Sequence, residues 1–244
     1  MPVPAAPGGR RALVLLAVAL AGGAAAFFQF REKPAEETRR EGAARLMNEL
    51  MSGKTAVGGP FTLEDQHGKR RSLADFRGKL VLLYFGYSFC PDVCPTDLAA
   101  IAQLIRMLGA EGDELQPVFV TLDPERDTRE LLRGYVAAFH PRFVALRGSE
   151  DEVRRVATAY KVYFEKVRPP GSGVYLVDHM AFVFLLDREG RYVAFFPPGT
   201  SADRMAVMVR EVLANANQPR REREGRKGRE GRENLLELPS HPSR

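Results

Sequence analysis

Hydrophobic and polar positions along the chain fall into four regimes. Residues 12–30 (ALVLLAVALAGGAAAFFQF) hold no charged side chain over 19 positions, and a helix rising about 1.5 Å per residue would cross a hydrocarbon layer of about 30 Å over that length. This predicts a transmembrane anchor, with residues 1–11 left as a short N-terminus. Residues 31–58, charged and Ala-rich and closing on the Gly58-Gly59-Pro60 break, read as a linker. From Phe61 to Leu213 the pattern switches repeatedly between short β-rich runs and helical spacing, which predicts one α/β domain over residues 59–214. Residues 215–244 are dominated by Arg, Glu and Gly without apolar periodicity and are expected to form a disordered, charged tail.

Within the body, Leu80–Tyr84, Val118–Leu122 and Phe182–Leu186 are nearly continuous apolar runs, as expected of strands covered on both faces. Asp127-Thr128-Arg129-Glu130 and Ser149-Glu150-Asp151-Glu152 have the spacing of capping boxes, so a helix should follow each. Asp187–Gly190 reads as a hairpin turn leading to Tyr192–Phe196, with a last helix opening near Ser201. The expected order is strand, helix, strand, helix, a β-rich segment, helix, hairpin, helix.

Composition sharpens this outline. With 244 residues, 45% of them hydrophobic, the chain can build one core of about 150 residues with appendages. The formal net charge of +5 divides into +3 for residues 1–55, −1 for 56–214 and +3 for 215–244, so the basic excess lies in the flanks. The body carries no signature of nucleic-acid binding. Cys90 and Cys94 are the only cysteines. That excludes a disulfide-scaffolded mini-protein, a four-cysteine zinc site and an iron–sulfur cluster held within one chain.

The dithiol follows the predicted strand 80–84 and opens an amphipathic helix, with Pro95 suited to the first turn. Free amides and the positive end of the helix dipole favour a thiolate there. A spacing of four in a helix-like turn puts the α-carbons about 6 Å apart, which suits a disulfide and equally suits two sulfurs gripping one ion. Redox chemistry and metal chemistry therefore both remain open. Thioredoxin-type reductases use C-x-x-C and oppose it with a cis-proline before a later strand. Here the cysteine loop is one residue longer, no proline occurs from Gly171 to Phe196, and His179-Met180 stands in that neighbourhood, where His179 would open the strand of VDHMAFVFLLD. Two thiolates and an imidazole make a soft ligand set suited to Cu(I), extended by nitrogen to Cu(II) or Zn(II). A structural zinc site would want a fourth protein ligand, whereas an incomplete sphere suits an ion that must leave. His67 in a Gln-His-Gly-Lys turn, His140 before Pro141 and His241 in the tail are weaker ligand candidates. Asp178 and Asp92 are candidates to orient the imidazole, Met180 and Met107 read as packing, and the acidic run Asp123–Thr128 reads as a turn with a helix cap.

Four segments carry a resemblance: Tyr84-Phe85-Gly86-Tyr87-Ser88-Phe89-Cys90-Pro91-Asp92-Val93-Cys94-Pro95, Asp123-Pro124-Glu125-Arg126-Asp127-Thr128, Asp178-His179 and Asp75-Phe76-Arg77-Gly78-Lys79. Over roughly residues 60–213 the chain resembles the Sco/SenC family of thioredoxin-like copper chaperones. The resemblance implies a thioredoxin-like α/β fold with a central mixed sheet, and copper, as Cu(I) or Cu(II), bound by Cys90, Cys94 and His179. It implies delivery to the binuclear copper centre of cytochrome c oxidase subunit II, an upstream copper donor or thiol reductant as a second partner, and a thiol-reductase role for Cys90 and Cys94 at that subunit's cysteines. The alternative is a membrane-anchored thiol-disulfide oxidoreductase without a metal role. Arg10 and Arg11 before the apolar run resemble an export signal, which places the body outside; Arg31, Lys33, Arg39 and Arg40 argue the other way by the positive-inside rule, but large domains translocate largely regardless of charge. Ala24-Ala25-Ala26 offers a cleavage site as the competing reading. The short N-terminus without an Arg/Ser-rich transit segment favours a bacterial inner membrane with the domain in the periplasm over a mitochondrial inner membrane facing the intermembrane space.

Overall fold

Three near-continuous apolar runs form the centre of a mixed sheet in the computed structural model, which describes residues 56–217. The expected anchor 12–30, most of the linker and the tail beyond Asn217 lie outside the described residues. Among the described residues no helix is long and apolar enough to cross a membrane.

The elements in chain order are β1 (Thr62–Asp65), β2 (Arg70–Ser72), β3 (Leu80–Gly86), α1 (Val93–Met107), β4 (Leu115–Thr121), α2 (Arg129–Ala137), β5 (Val144–Arg147), α3 (Glu150–Ala159), β6 (Phe164–Val167), β7 (Leu176–His179), β8 (Val183–Leu186), β9 (Tyr192–Phe196) and α4 (Ala202–Asn217), with 3-10 turns at Leu73–Phe76 and Gly109–Glu114. Seven strands make one sheet in the order β2-β1-β5-β4-β3-β8-β9. β3 lies between parallel β4 and antiparallel β8. Every residue of β3 and β8 is buried, which is why their sequences read as apolar runs without alternation. Phe85, Tyr160 and Phe184 interlock behind this sheet with ring centroids 5.6–6.1 Å apart; burying each such side chain stabilises the fold by about 1.5–3 kcal/mol. The rigid β3 therefore delivers its carboxyl end, and the cysteine loop that follows, to a fixed place.

Two hairpins went undetected by the search for apolar runs. β1 and β2 are short and rich in charge and turn through Gly68, whose φ of +85° suits glycine; the Asp65 carboxylate accepts from the His67 and Lys69 amides at 2.9 Å each. β6 and β7 form a separate two-stranded sheet, exposed mainly along β6 and rich in charge. This corrects the reading of His179 as the start of the strand that holds Phe182–Leu186. His179 ends β7, paired with Phe164, and does not open β8, which begins at Val183. The Met180 amide donates to Tyr163 O at 3.0 Å and closes the arm just before the chain enters the main sheet. α4 runs to Asn217, beyond the expected domain end at 214.

The Ser149 capping box forms as expected, with Ser149 Oγ accepting from the Glu152 amide and Glu152 accepting from the Ser149 amide. The other box is displaced by one residue: Thr128 caps α2 by accepting from the Leu131 amide at 3.2 Å. Asp127, fully buried, instead accepts from the Ser88 amide at 3.1 Å, from Thr121 Oγ1 at 2.5 Å and from the Ser88 hydroxyl. It ties the loop after β4 to the cysteine loop. Asp127→Ala should thus strand three donors and cost about 2–4 kcal/mol in chemical denaturation, against about 1 kcal/mol for loss of a helix cap; a cost at or below the smaller figure would contradict this role.

Candidate metal centre

Cys90 lies in the loop after β3, and Cys94 in the first turn of α1. The Cys94 amide donates to Cys90 Sγ at 3.5 Å, so this half-buried sulfur occupies the place where an anion would satisfy the orphan amides of the helix. Hydrogen bonding from the Cys94 thiol first, then from His179 and last from the Asp92 and Cys94 amides, pulls the Cys90 thiol down to about 3 although burial opposes the shift. The fully buried Cys94 moves upward, because its S–H donates a hydrogen bond to Cys90 and because burial disfavours its charge. The two opposite shifts favour charge on Cys90 and the proton on Cys94.

His179 Nε2 stands 3.4 Å from Cys94 Sγ. Among the described residues Cys90, Cys94 and His179 form the one group whose donor atoms could hold a metal ion, all within 4.8 Å of one another. Sulfur and nitrogen donors bind such an ion at about 2.0–2.3 Å, so a planar three-donor site needs donors about 3.5–4 Å apart and the widest pair closes by less than about 1 Å. The ring of His179 is set by Tyr84 and Tyr87, which meet it edge-on at 6.5 Å and 6.0 Å. Its Nδ1 is buried without a hydrogen-bond partner among the described residues. The expected support from Asp92 or Asp178 is therefore absent at that atom; both carboxylates are exposed.

The remaining candidates fall elsewhere. His67 sits exposed in the β1–β2 turn, and His140 Nδ1 accepts from the Arg142 amide at 3.2 Å with burial lowering its basicity. Met107 is exposed and Met180 half-buried, and His241 lies outside the described residues. Beneath the dithiol is a group the sequence reading missed. Asp97 is buried one turn after Cys94, and its Oδ1 accepts from the Gly199 amide at 2.9 Å, fastening α1 to the approach to α4. Its Oδ2 and the Tyr84 hydroxyl face one another and Cys94, yet neither completes an aligned hydrogen bond. Burial pushes the Asp97 carboxyl up. The i,i+3 spacing from Cys94 on a helix face was the available signal.

The structure thus defines a mixed α/β domain with a soft three-donor centre at the end of a buried strand. The SCO1/SenC family profile matches residues 49–214, more than half of the chain. The chain belongs to the SCO1/SenC family. It is 36% identical over 213 residues to the mitochondrial protein SCO2 homolog of Bos taurus, spanning 86% of this chain and 78% of that protein. Among solved structures it is similar to Bradyrhizobium japonicum ScoI with copper bound, with 39% identity and a TM-score of 0.59 over 64% of this chain and 99% of that one. It is also similar to yeast Sco1 with copper bound, with 35% identity and a TM-score of 0.62 over 70% and 94%. The expected central sheet of thioredoxin-like type is borne out.

The depressed Cys90 thiol has a direct kinetic consequence. Alkylation follows the thiolate fraction, so the reduced protein should react at Cys90 at a nearly constant rate between about pH 5 and pH 8, while the denatured protein slows about tenfold per unit as pH falls. Mass-mapped iodoacetamide labelling checks this, and a native rate that falls tenfold per unit would contradict it.

Proposed function

We propose that the protein carries copper and delivers it during cytochrome c oxidase assembly, holding the ion on Cys90 Sγ, Cys94 Sγ and His179 Nε2. The observation that carries this reading is the convergence of two sulfurs and an imidazole 85 positions apart in sequence. Soft sulfur selects Cu(I), and the nitrogen extends the site to Cu(II). Two thiolates and Cu(I) leave a net charge of −1, which the amino end of α1 offsets. Three protein donors leave a position through which an acceptor's ligand can enter before the chaperone's ligands leave, so transfer needs no change in the acceptor's covalent bonds. Cys90, the less buried sulfur, is the ligand such an acceptor meets first. We take the acceptor to be the binuclear copper centre of subunit II, and the supplier to be an upstream copper donor or thiol reductant.

One observation favours a second role for the same residues: an activated outer thiolate paired with a buried thiol is the arrangement of a dithiol reductant. Cys90 would attack one sulfur of a client disulfide, releasing the other as thiolate, and Cys94 would then displace the client sulfur. Two electrons pass to the client, which ends as a dithiol, and Cys90–Cys94 ends as a disulfide. We further assign residues 12–30 as a single-pass anchor, with 1–11 cytoplasmic, 31–58 as spacer, the domain 59–214 in the periplasm of a bacterial inner membrane and 215–244 as tail; a mitochondrial inner membrane with the domain in the intermembrane space is the alternative setting.

His179→Ala separates the roles. Competition titration against a chromophoric copper chelator should show affinity reduced about 100-fold or more, since loss of a group that only supports a ligand already costs about 10–100-fold. The variant should still form the Cys90–Cys94 disulfide and still reduce a disulfide in a subunit II copper-site peptide. Retained stoichiometric copper binding at wild-type affinity would refute the ligand set, and no rate advantage over free dithiol would remove the reductase role.

A further inference from the structure

Three segments must meet to build the copper centre: the cysteine loop, the loop after β4, and the β6–β7 arm that carries His179. The third has the weakest hold. A two-stranded sheet alone is marginal in water, and three of the four residues of β6 are exposed. One side chain touches all three segments. Arg126 Nε pairs with Asp123 Oδ2, and Asp123 is fully buried. Arg126 Nη1 donates to Tyr175 O at 2.9 Å, four residues before His179. The guanidinium carbon lies 3.7 Å from the Tyr175 ring centroid and 4.8 Å from that of Phe89, the neighbour of Cys90. It also lies 5.8 Å from Tyr87, whose ring meets His179. The Tyr175 hydroxyl donates to Asp123 Oδ1 at 2.9 Å and completes the clasp. Among the described residues Arg126 Nη2 is buried with no hydrogen-bond acceptor, which leaves the aromatic faces to hold that side of the cation.

We propose that Arg126 is a positioning residue that latches the His179-bearing arm to the cysteine loop, setting the ligand geometry without touching the metal. The inference rests on the copper reading above for its consequence, though the latch itself is a property of the protein alone. Lys166 Nζ–Glu125 Oε2 at 2.8 Å also joins arm to body, but Glu125 is exposed and such a pair is screened by solvent and salt. The Arg126 clasp is mostly buried, and its fork fixes the direction of the Tyr175 carbonyl in a way a point charge cannot. Phe89 is 52% exposed, so the side chain that shares the guanidinium with the arm is also within reach of whatever approaches Cys90.

Removing Arg126 alone would strand the Asp123 charge and endanger folding. The test therefore uses the full chain carrying R126M together with D123N, and separately R126K, which keeps the charge but loses the fork. Amide exchange in Leu176–His179 should quicken about tenfold or more in both, with Leu82–Phe85 of β3 unchanged. Copper affinity by chelator competition should fall about tenfold, the range found for groups that orient a ligand, and R126K should fall with the double variant. Unchanged arm exchange with wild-type affinity would overturn the latch, as would equal quickening of β3 and β7, or full recovery in R126K. Failure of the wild-type chain to bind copper would instead overturn the copper reading, and the exchange comparison would still stand by itself.

Discussion

A thiolate at the amino end of a helix is the interaction on which the rest of this centre depends. The first amides of α1 have no partners within the helix, and Cys90 Sγ takes the Cys94 amide as a donor. Charge on Cys90 is favoured, the proton is left with Cys94, and the two sulfurs are held near each other without a covalent bond. Attraction to a soft cation and attack on a disulfide both begin from that one charge. What directs it toward copper is a third donor, and bringing that donor in is the work of a part of the chain outside the main sheet.

Packing makes the arrangement possible. Gly86 ends β3 against Cys94: a β-carbon there would lie 2.9 Å from Cys94 Sγ, 2.9 Å from Tyr84 Cε1 and 3.2 Å from Phe119 Cε2. Only glycine lets the helix and its buried sulfur approach the strand this closely. Asp127 binds the cysteine loop from the side of β4, Asp97 binds α1 to the approach to α4, and Arg126 binds the His179 arm. Two buried carboxylates and one half-buried guanidinium thus surround a site with few direct ligands, each joining segments far apart in sequence.

How much of this was legible depended on how strongly each element announced itself in one dimension. β3, β4 and β8 are buried on both faces, so continuous apolar runs betray them. The dithiol at a strand-to-helix junction needs no tertiary knowledge either. His179 stood out because it occupies the place of a missing proline, but its element was misread: Val177, Ala181 and Phe182 continue the apolar run past it, and the break at Met180 is made by a backbone bond to Tyr163 that leaves no mark in composition. β6, with its sequence FEKV, is mostly exposed and reads as loop. Asp127 has the right spacing for a cap, and only the three-dimensional proximity of Ser88, 39 residues earlier, takes it away from that role. Asp97 and Arg126 look like ordinary helix and loop charges until their burial is known.

The central claim concerns the number and kind of atoms bound to the ion. X-ray absorption at the copper edge of the reduced, copper-loaded full chain reads those atoms directly. Copper held by Cys90, Cys94 and His179 should show two sulfur scatterers and one imidazole nitrogen per ion. A first shell of sulfur alone, or one built from nitrogen and oxygen without two sulfurs, would contradict it.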